Sequence, residues 1–141
     1  MSKILKCHVG IGHKVRGRAL VADDNFSARY DLDRIKGVFS RPAHKLHGQS
    51  YVDQILVLNT AKGGVASAWM LHEMKSRNMA PLAILFNQTN TILSQGAALA
   101  GITLCDGFEV EDITQVIRNG DELSIDPEAG TVEILSTGAN T

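Results

Sequence analysis

Apolar positions along the chain follow two different patterns. In the middle they come as continuous runs. Ile55, Leu56, Val57 and Leu58 stand together, and residues 82–86 repeat the pattern after Pro81. A short unbroken apolar run bounded by turn residues predicts a strand covered on both faces. Residues 65–77 predict a helix, with Ala66, Trp69, Met70 and Met74 among its apolar positions and Lys75 and Arg77 in its last turn, where cations suit the helix dipole. Asn78 is its stop. Residues 91–100 predict a second helix closed by Gly101, and residues 102–104 a third short strand. Strand–helix–strand–helix–strand implies parallel pairing through right-handed crossovers.

Toward both ends the pattern changes to alternation. Residues 3–9 and 17–21 predict short strands. Residues 122–125 and 131–135 alternate apolar and polar on either side of a turn at 126–130, and Asn119-Gly120-Asp121 is a further turn, so the tail predicts a β-hairpin. A β layer built from both ends, beside a βαβαβ middle, predicts an α/β fold of three layers, β/β/α. Residues 23–36 are polar and irregular and predict a long surface loop. No repeat, low-complexity tract or linker interrupts the chain, so residues 1–141 are expected to be one domain with a core over about 17–135.

Composition narrows the function classes. Hydrophobic residues make up 44% and charged residues 21%, the balance of a soluble globular chain. A net charge of -1 with no basic block argues against nucleic acid or an anionic membrane as partner. No apolar run approaches the roughly 20 residues that span a bilayer, and residues 1–9 lack the apolar core of a signal peptide, so a cytoplasmic location is expected. Cys7 and Cys105 are then expected as free thiols. Two thiolates cannot cage an iron–sulfur cluster, nor make a structural zinc site alone. No cofactor is therefore expected in this chain, and any cluster its chemistry uses must come from another.

Candidate chemistry concentrates after the first buried strand. In open α/β sheets, ligands gather beyond the carboxyl ends of parallel strands. Gly63 and Gly64 let the backbone approach a ligand, the helix starting at Val65 offers unpartnered N–H groups, and Lys62 adds a full positive charge. Together they read as an anion site for carboxylate or phosphate. A tight strand-to-helix turn with a solvated lysine reads equally from the same residues. The corner is no Walker A loop, because no Gly-Lys-Ser/Thr follows at the required spacing. Other motifs are incomplete. Gly10-Ile11-Gly12 lacks the third glycine of a dinucleotide fingerprint, and His44 with His47, or Cys7 with His8 and His13, lack a full ligand set and read as loop or surface residues. Asn25, Ser27, Arg29, Asp33 and Arg41 make residues 23–41 rich in hydrogen-bonding groups, which a solvated loop would also be. A phosphohistidine carrier would need a histidine in the loop before the helix; none lies at 59–65, and His72 falls inside the helix.

The order of segments resembles one known family. Gly17-Arg18-Ala19-Leu20-Val21 is similar to its opening strand, residues 27–37 with Asp33 inside to its Ser-Phe-x-Gly-Gly-x-Asp-x-x-x-Gly loop, and residues 44–50 to its His-x-Leu-x-Gly-x-Ser stretch. Residues 55–63 resemble its buried strand ending in a Lys/Arg-Gly loop. Residues 80–84, Gly96-Ala97 and residues 100–102 resemble its Ala-Pro-x-Ala-Ile and Gly-Ala…Ala-Gly-Ile-Pro segments. Gly120-Asp121, Asp126 and Gly130-Thr131-Val132 are similar to its closing Gly-Asp-x-Val-x-Val-Asp…Gly-x-Val. The family is the swivelling domain of aconitase X.

That resemblance implies a small subunit or fused domain that works with a large aconitase-X catalytic subunit, which carries an iron–sulfur cluster. The pair is a hydro-lyase acting on a small hydroxy acid, members dehydrating phosphomevalonate or cis-3-hydroxyproline, and the isolated small chain is inactive. It implies substrate binding by Lys62, Gly63, Gly64 and Val65, with Ser27 and Arg29 beside them. In the family a serine of a Gly-Ser-Thr loop is the base that takes a proton from carbon. Here Gly64 stands at the serine position and Val65 at the threonine, and Ala28, Arg29, Tyr30 and Asp31 fill the altered middle of the other loop. Glycine cannot take a proton. Ser67 can replace the base, or a different substrate can be read by Arg29 or Arg41, or the chain is a degenerate binding or regulatory module. A divergent substrate is the favoured expectation.

Overall fold

Alternate side chains of a strand point to opposite faces of its sheet, and this rule organises the whole computed structural model, which describes residues 3–27, 31–62 and 65–136. The described strands are β1 (Lys3–Lys6), β2 (Val15–Val21), β3 (Leu32–Asp33), β4 (Val38–Phe39), β5 (Ile55–Thr60), β6 (Ala83–Gln88), β7 (Thr103–Cys105), β8 (Glu122–Asp126) and β9 (Thr131–Ser136). Helix α1 (Val65–Ser76) follows β5, α2 (Thr91–Ala100) follows β6, and a short 3-10 turn (Ile113–Gln115) precedes β8. One sheet runs in the order β1-β9-β8-β2-β5-β6-β7, and β3 with β4 make a separate small ladder. β2, β5, β6 and β7 are parallel, whereas β1, β9, β8 and the first half of β2 are antiparallel.

The continuous apolar runs are explained by two cores. Leu56 and Leu58 of β5 and Ile84 and Phe86 of β6 face one cluster, which Leu71 and Met74 of α1 and Leu93 and Ala97 of α2 complete. Ile55 and Val57, with Ala83 and Leu85, face the other way, into a cluster closed by Leu5, Leu123, Ile125, Val132 and Ile134 of the antiparallel strands. The layers are therefore hairpin sheet, parallel sheet and helices, the β/β/α order expected. β2 passes between the two β layers. Its residues 15–18 pair with β8, and its residues 19–21 pair with β5. Gly17 sits at that passage, where a Cβ would come within 2.7 Å of Leu82 Cδ1.

Two expectations need correction. Residues 23–36 are not a solvated loop: Phe26, Ser27, Asp31 and Leu32 are buried, and Leu32–Asp33 pairs with Val38–Phe39. Large apolar side chains in that segment reach the helix-side core, which a local polarity average hides. His44 is buried as well, at 3% exposure, with its ring stacked on Phe39 at 4.7 Å. Trp69 is not on the buried face of α1, where Ser67, Leu71 and Met74 point inward instead; with Ile92 and Leu99 it is exposed along a shallow groove between α1 and α2. Among the described residues no helix is long and apolar enough to cross a membrane.

Candidate functional site

The site is built where β5 ends. Residues 22–26 run beside that strand and prolong the sheet: Ala22 N–H donates to Val57 O (3.1 Å), Asn59 N–H to Asp24 O (2.8 Å), Phe26 N–H to Thr60 O (3.0 Å), and Lys62 N–H to Phe26 O (2.7 Å). Phe26 fixes this segment by burying its ring against Phe39 and Phe86, with centroids 6.4 and 6.2 Å away. The next residue, Ser27, is thereby held against the start of α1. Its hydroxyl lies 3.3 Å from that of Ser67, and both serines are buried.

A polar network secures Ser27 from the other side. Asp31 accepts from Ser27 N–H (2.8 Å) through one carboxylate oxygen and from Arg41 Nε (2.5 Å) through the other. Asp31 is 3% exposed, and the Arg41 guanidinium gives this buried carboxyl group a charged hydrogen-bond partner. His44 Nδ1 accepts from Leu46 N–H (3.0 Å), so its ring proton lies on Nε2, which donates to Asn25 O (2.8 Å). Asn25 Oδ1 in turn accepts from the Thr60 hydroxyl at the end of β5. Burial pushes Asp24 upward, but backbone N–H donors from Lys45 and Asn25, with His44 and Arg41 nearby, outweigh it and hold the carboxyl below its ordinary value.

The structure therefore brings together Ser27, Lys62, Ser67 and the first turn of α1 at Val65. Lys62 is exposed, and no acidic residue occupies the first turn of α1. The opening N–H groups of a helix carry partial positive charge and lack intrahelical partners, so that turn itself sets no carboxylate against an anion. Gly63, Gly64 and Arg29 lie outside the described residues. Ser67 is 1% exposed, which makes it a packed side chain rather than a surface one. Asp31 and Arg41 form the link that residue-by-residue reading missed; the matching loop and the His-x-Leu stretch flagged their neighbourhood, but nothing local marks the 31–41 pairing.

A second polar group lies at the same strand ends, on the opposite face. Asn87 Nδ2 donates to Asn59 Oδ1 (3.1 Å) and Asp112 Oδ1 (2.9 Å), while Asn87 Oδ1 accepts from Ile113 N–H (2.9 Å). The Thr114 hydroxyl and then Asn87 hold the Asp112 carboxyl below its ordinary value, against the effect of burial. Asn59, Asn87 and Asp112 line an open cleft of about 610 Å³ with Glu111 and Gln115. Among the described residues no group of three or more His, Cys, Asp or Glu is placed to hold a metal. With two cysteines in the whole chain, the donor set does not fit an iron–sulfur cluster.

Comparison with known proteins bears on this geometry. The family model described as "Aconitase X swivel domain" matches residues 4–134. The phosphomevalonate dehydratase small subunit of Methanococcoides burtonii is 27% identical over 131 residues, covering 93% of this chain and 95% of its own. The protein of the same name from Thermococcus sibiricus is 32% identical over 123 residues, covering 87% of this chain and 92% of its own. A chain of the Thermococcus kodakaraensis aconitase X crystal structure, in its holo form, superposes with a TM-score of 0.87 at 28% identity, over 95% of this chain and 99% of that one.

Proposed function

The chain belongs to the aconitase X swivel domain family, and on that premise we propose that it is the small subunit of a two-subunit dehydratase, a hydro-lyase that acts on an anionic hydroxy acid. The larger partner carries the catalytic metal centre, an iron–sulfur cluster, because this chain has too few thiolates for one. The observation that supports the reading is near full-length correspondence with chains that are themselves named small subunits of a dehydratase.

In this reading the chain contributes an anion-binding wall. Lys62 and the backbone of Gly63, Gly64 and Val65 hold the substrate carboxylate or phosphate, with Ser27 and Arg29 alongside. The Asp31–Arg41 pair and the Ser27–Ser67 contact brace that wall. Docking of the swivelling domain on its partner excludes water and completes the site, so activity belongs to the assembly. The test is reconstitution. Dehydration of candidate hydroxy acids is expected only when this chain is mixed with its large partner, and turnover by this chain alone would overturn the proposal.

Gly64 favours a second reading, a binding or regulatory module that has lost catalysis. Activity appearing only after Gly64→Ser in the reconstituted pair would establish it. Activity of the natural pair would exclude it and point to a base elsewhere, with Ser67 a candidate in this chain.

A further inference from the structure

His44 is distant from Lys62 in sequence, yet its ring reaches the backbone that leads into the anion corner. The ring is 3% exposed and stacks on Phe39 at 4.7 Å. Leu46 N–H, two residues on, donates to Nδ1 (3.0 Å), and this local bond fixes the tautomer with its proton on Nε2. Nε2 then donates to Asn25 O (2.8 Å), 19 residues away in sequence. The carboxylates of Asp24 and Asp31 lie 3.8 and 3.9 Å from the same nitrogen, and Arg41 pairs with Asp31 at 2.5 Å. Both carboxylates favour an N–H over a bare nitrogen at that position.

We propose that His44 is a positioning residue of the anion corner, setting Ser27 and Lys62 through the Asn25 carbonyl. The link runs through two successive peptide planes. The plane between Asn25 and Phe26 is held at both ends, its carbonyl by His44 and its N–H by Thr60 O (3.0 Å). The plane between Phe26 and Ser27 is held likewise: its carbonyl accepts from Lys62 N–H (2.7 Å), and its N–H donates to Asp31 (2.8 Å). Without the His44 bond the first plane can turn about its remaining bond, and the second plane, which carries the Ser27 and Lys62 contacts, turns with it. Filling space beside Phe39 asks only for a ring, whereas the corner asks for the Nε2 donor. The proposal rests on the anion-binding reading of this corner given above. Displacing Ser27 and Lys62 weakens the hold on the anionic group before and during the reaction alike, so it raises KM rather than lowering kcat. Loss of stability alone does the reverse, because it leaves fewer active complexes of unchanged affinity.

Two substitutions separate the bonds. In His44→Gln the amide nitrogen takes the place of Nε2 and keeps the Asn25 bond. In His44→Asn the amide oxygen takes the place of Nδ1 and keeps only the Leu46 bond. Both lose the stack on Phe39, so the packing loss is common to them. The purified full chain is titrated with inorganic phosphate, followed by the NMR shift of the Lys62 amide, and each variant is assayed for KM and kcat in the reconstituted pair. Phosphate affinity and KM should stay within about twofold of wild type in His44→Gln and weaken about tenfold in His44→Asn, the effect of losing one hydrogen bond. The kcat of the folded pair should hold in both. Wild-type phosphate affinity in His44→Asn, equal losses in the two variants, or a wild-type chain whose Lys62 amide does not respond to phosphate would overturn the proposal. An inactive natural pair, alongside the expected order of phosphate affinities, would sink the dehydratase reading and leave His44 in its positioning role.

Discussion

The two cores that sandwich the parallel sheet differ in what fills them. The helix-side core contains Phe26, Phe39, Tyr51 and Phe86, all fully buried, whereas the buried members of the hydrophobic cluster on the hairpin side are aliphatic apart from Cys105. The reason lies in how each layer is attached. The hairpin layer is tied by ladders: β8 pairs with β2 and β9, and β9 with β1. Residues 22–51 combine the short β3–β4 ladder and scattered backbone bonds, among them those of residues 22–26 beside β5, with ring packing: Phe39 meets Phe26 and Tyr51 edge-on and stacks on His44. The segment carrying Ser27, Asp31 and Arg41 thus depends on a few aromatic contacts as well as on its backbone bonds.

The largest effect should come from removing the central ring. Phe39→Ala is expected to cost about 3–5 kcal/mol, the range for a buried aromatic truncated in a core, read as a drop in the urea midpoint. It should also abolish activity of the reconstituted pair even under conditions where the variant remains folded, since the Asp31–Arg41 brace depends on the segment that Phe39 pins. A folded variant with full activity would show that the site does not depend on this packing.

Gly96→Ala comes next and probes how tightly the helix layer is seated. Position 96 faces Ala68 across the α1–α2 contact, and a Cβ would meet Ala68 Cβ at 2.6 Å and its Cα at 2.7 Å. The helices must separate, at a cost of about 1–3 kcal/mol typical of overpacking. The start of α1 should shift with it, so substrate affinity of the complex is expected to fall alongside thermal stability. On the hairpin side, Ile125→Val removes one buried methylene and should cost only about 0.5–1.5 kcal/mol, with kinetics of the complex unchanged, because Ile125 lies in the other core. Altered kinetics from this variant would mean that the two cores are coupled through β2.

How much of this was legible in the chain follows the same division. Helix α2 lies on the residues its pattern predicts, capped by Asn90, which accepts from Leu93 N–H, and closed by Gly101 at φ 73. The buried strands and the hairpin also appear within a residue or two, since local periodicity and turn residues specify them. Residues 23–36 and His44 differ from their sequence pattern because their order comes from contacts distant in sequence. Phe26 lies against Phe86, Ser27 against Ser67, and Asn25 against Thr60, and no window of neighbouring residues contains those pairs. The anion corner was legible as residue types at a strand end. The Asp31–Arg41 brace was not, because burial of a charged side chain such as Asp31 cannot be read from polarity.

The smallest effect, and the one that isolates the polar attachment of residues 22–51, is acid dependence. Asp24 joins this segment to the 41–46 turn by accepting from Lys45 N–H (3.1 Å), with Arg41 and His44 facing the same carboxylate. Its folded-state value lies below the ordinary one. The stabilisation is therefore fully present above the unfolded carboxyl value of about 3.9 and is lost as pH falls through the lower folded value. Asp24→Asn should melt below the wild type at neutral pH, and the two melting curves should converge as the solution is acidified. Asp112 follows the same sign on the hairpin-facing side, where Thr114 and Asn87 hold it down, so Asp112→Asn should converge likewise but leave the 22–51 segment as resistant to protease as in the wild type. Only Asp24→Asn should open that segment to cleavage. Equal cleavage in both variants would mean that the two polar attachments fail as one unit, and that the difference between the two sides of the sheet ends at the aromatic packing.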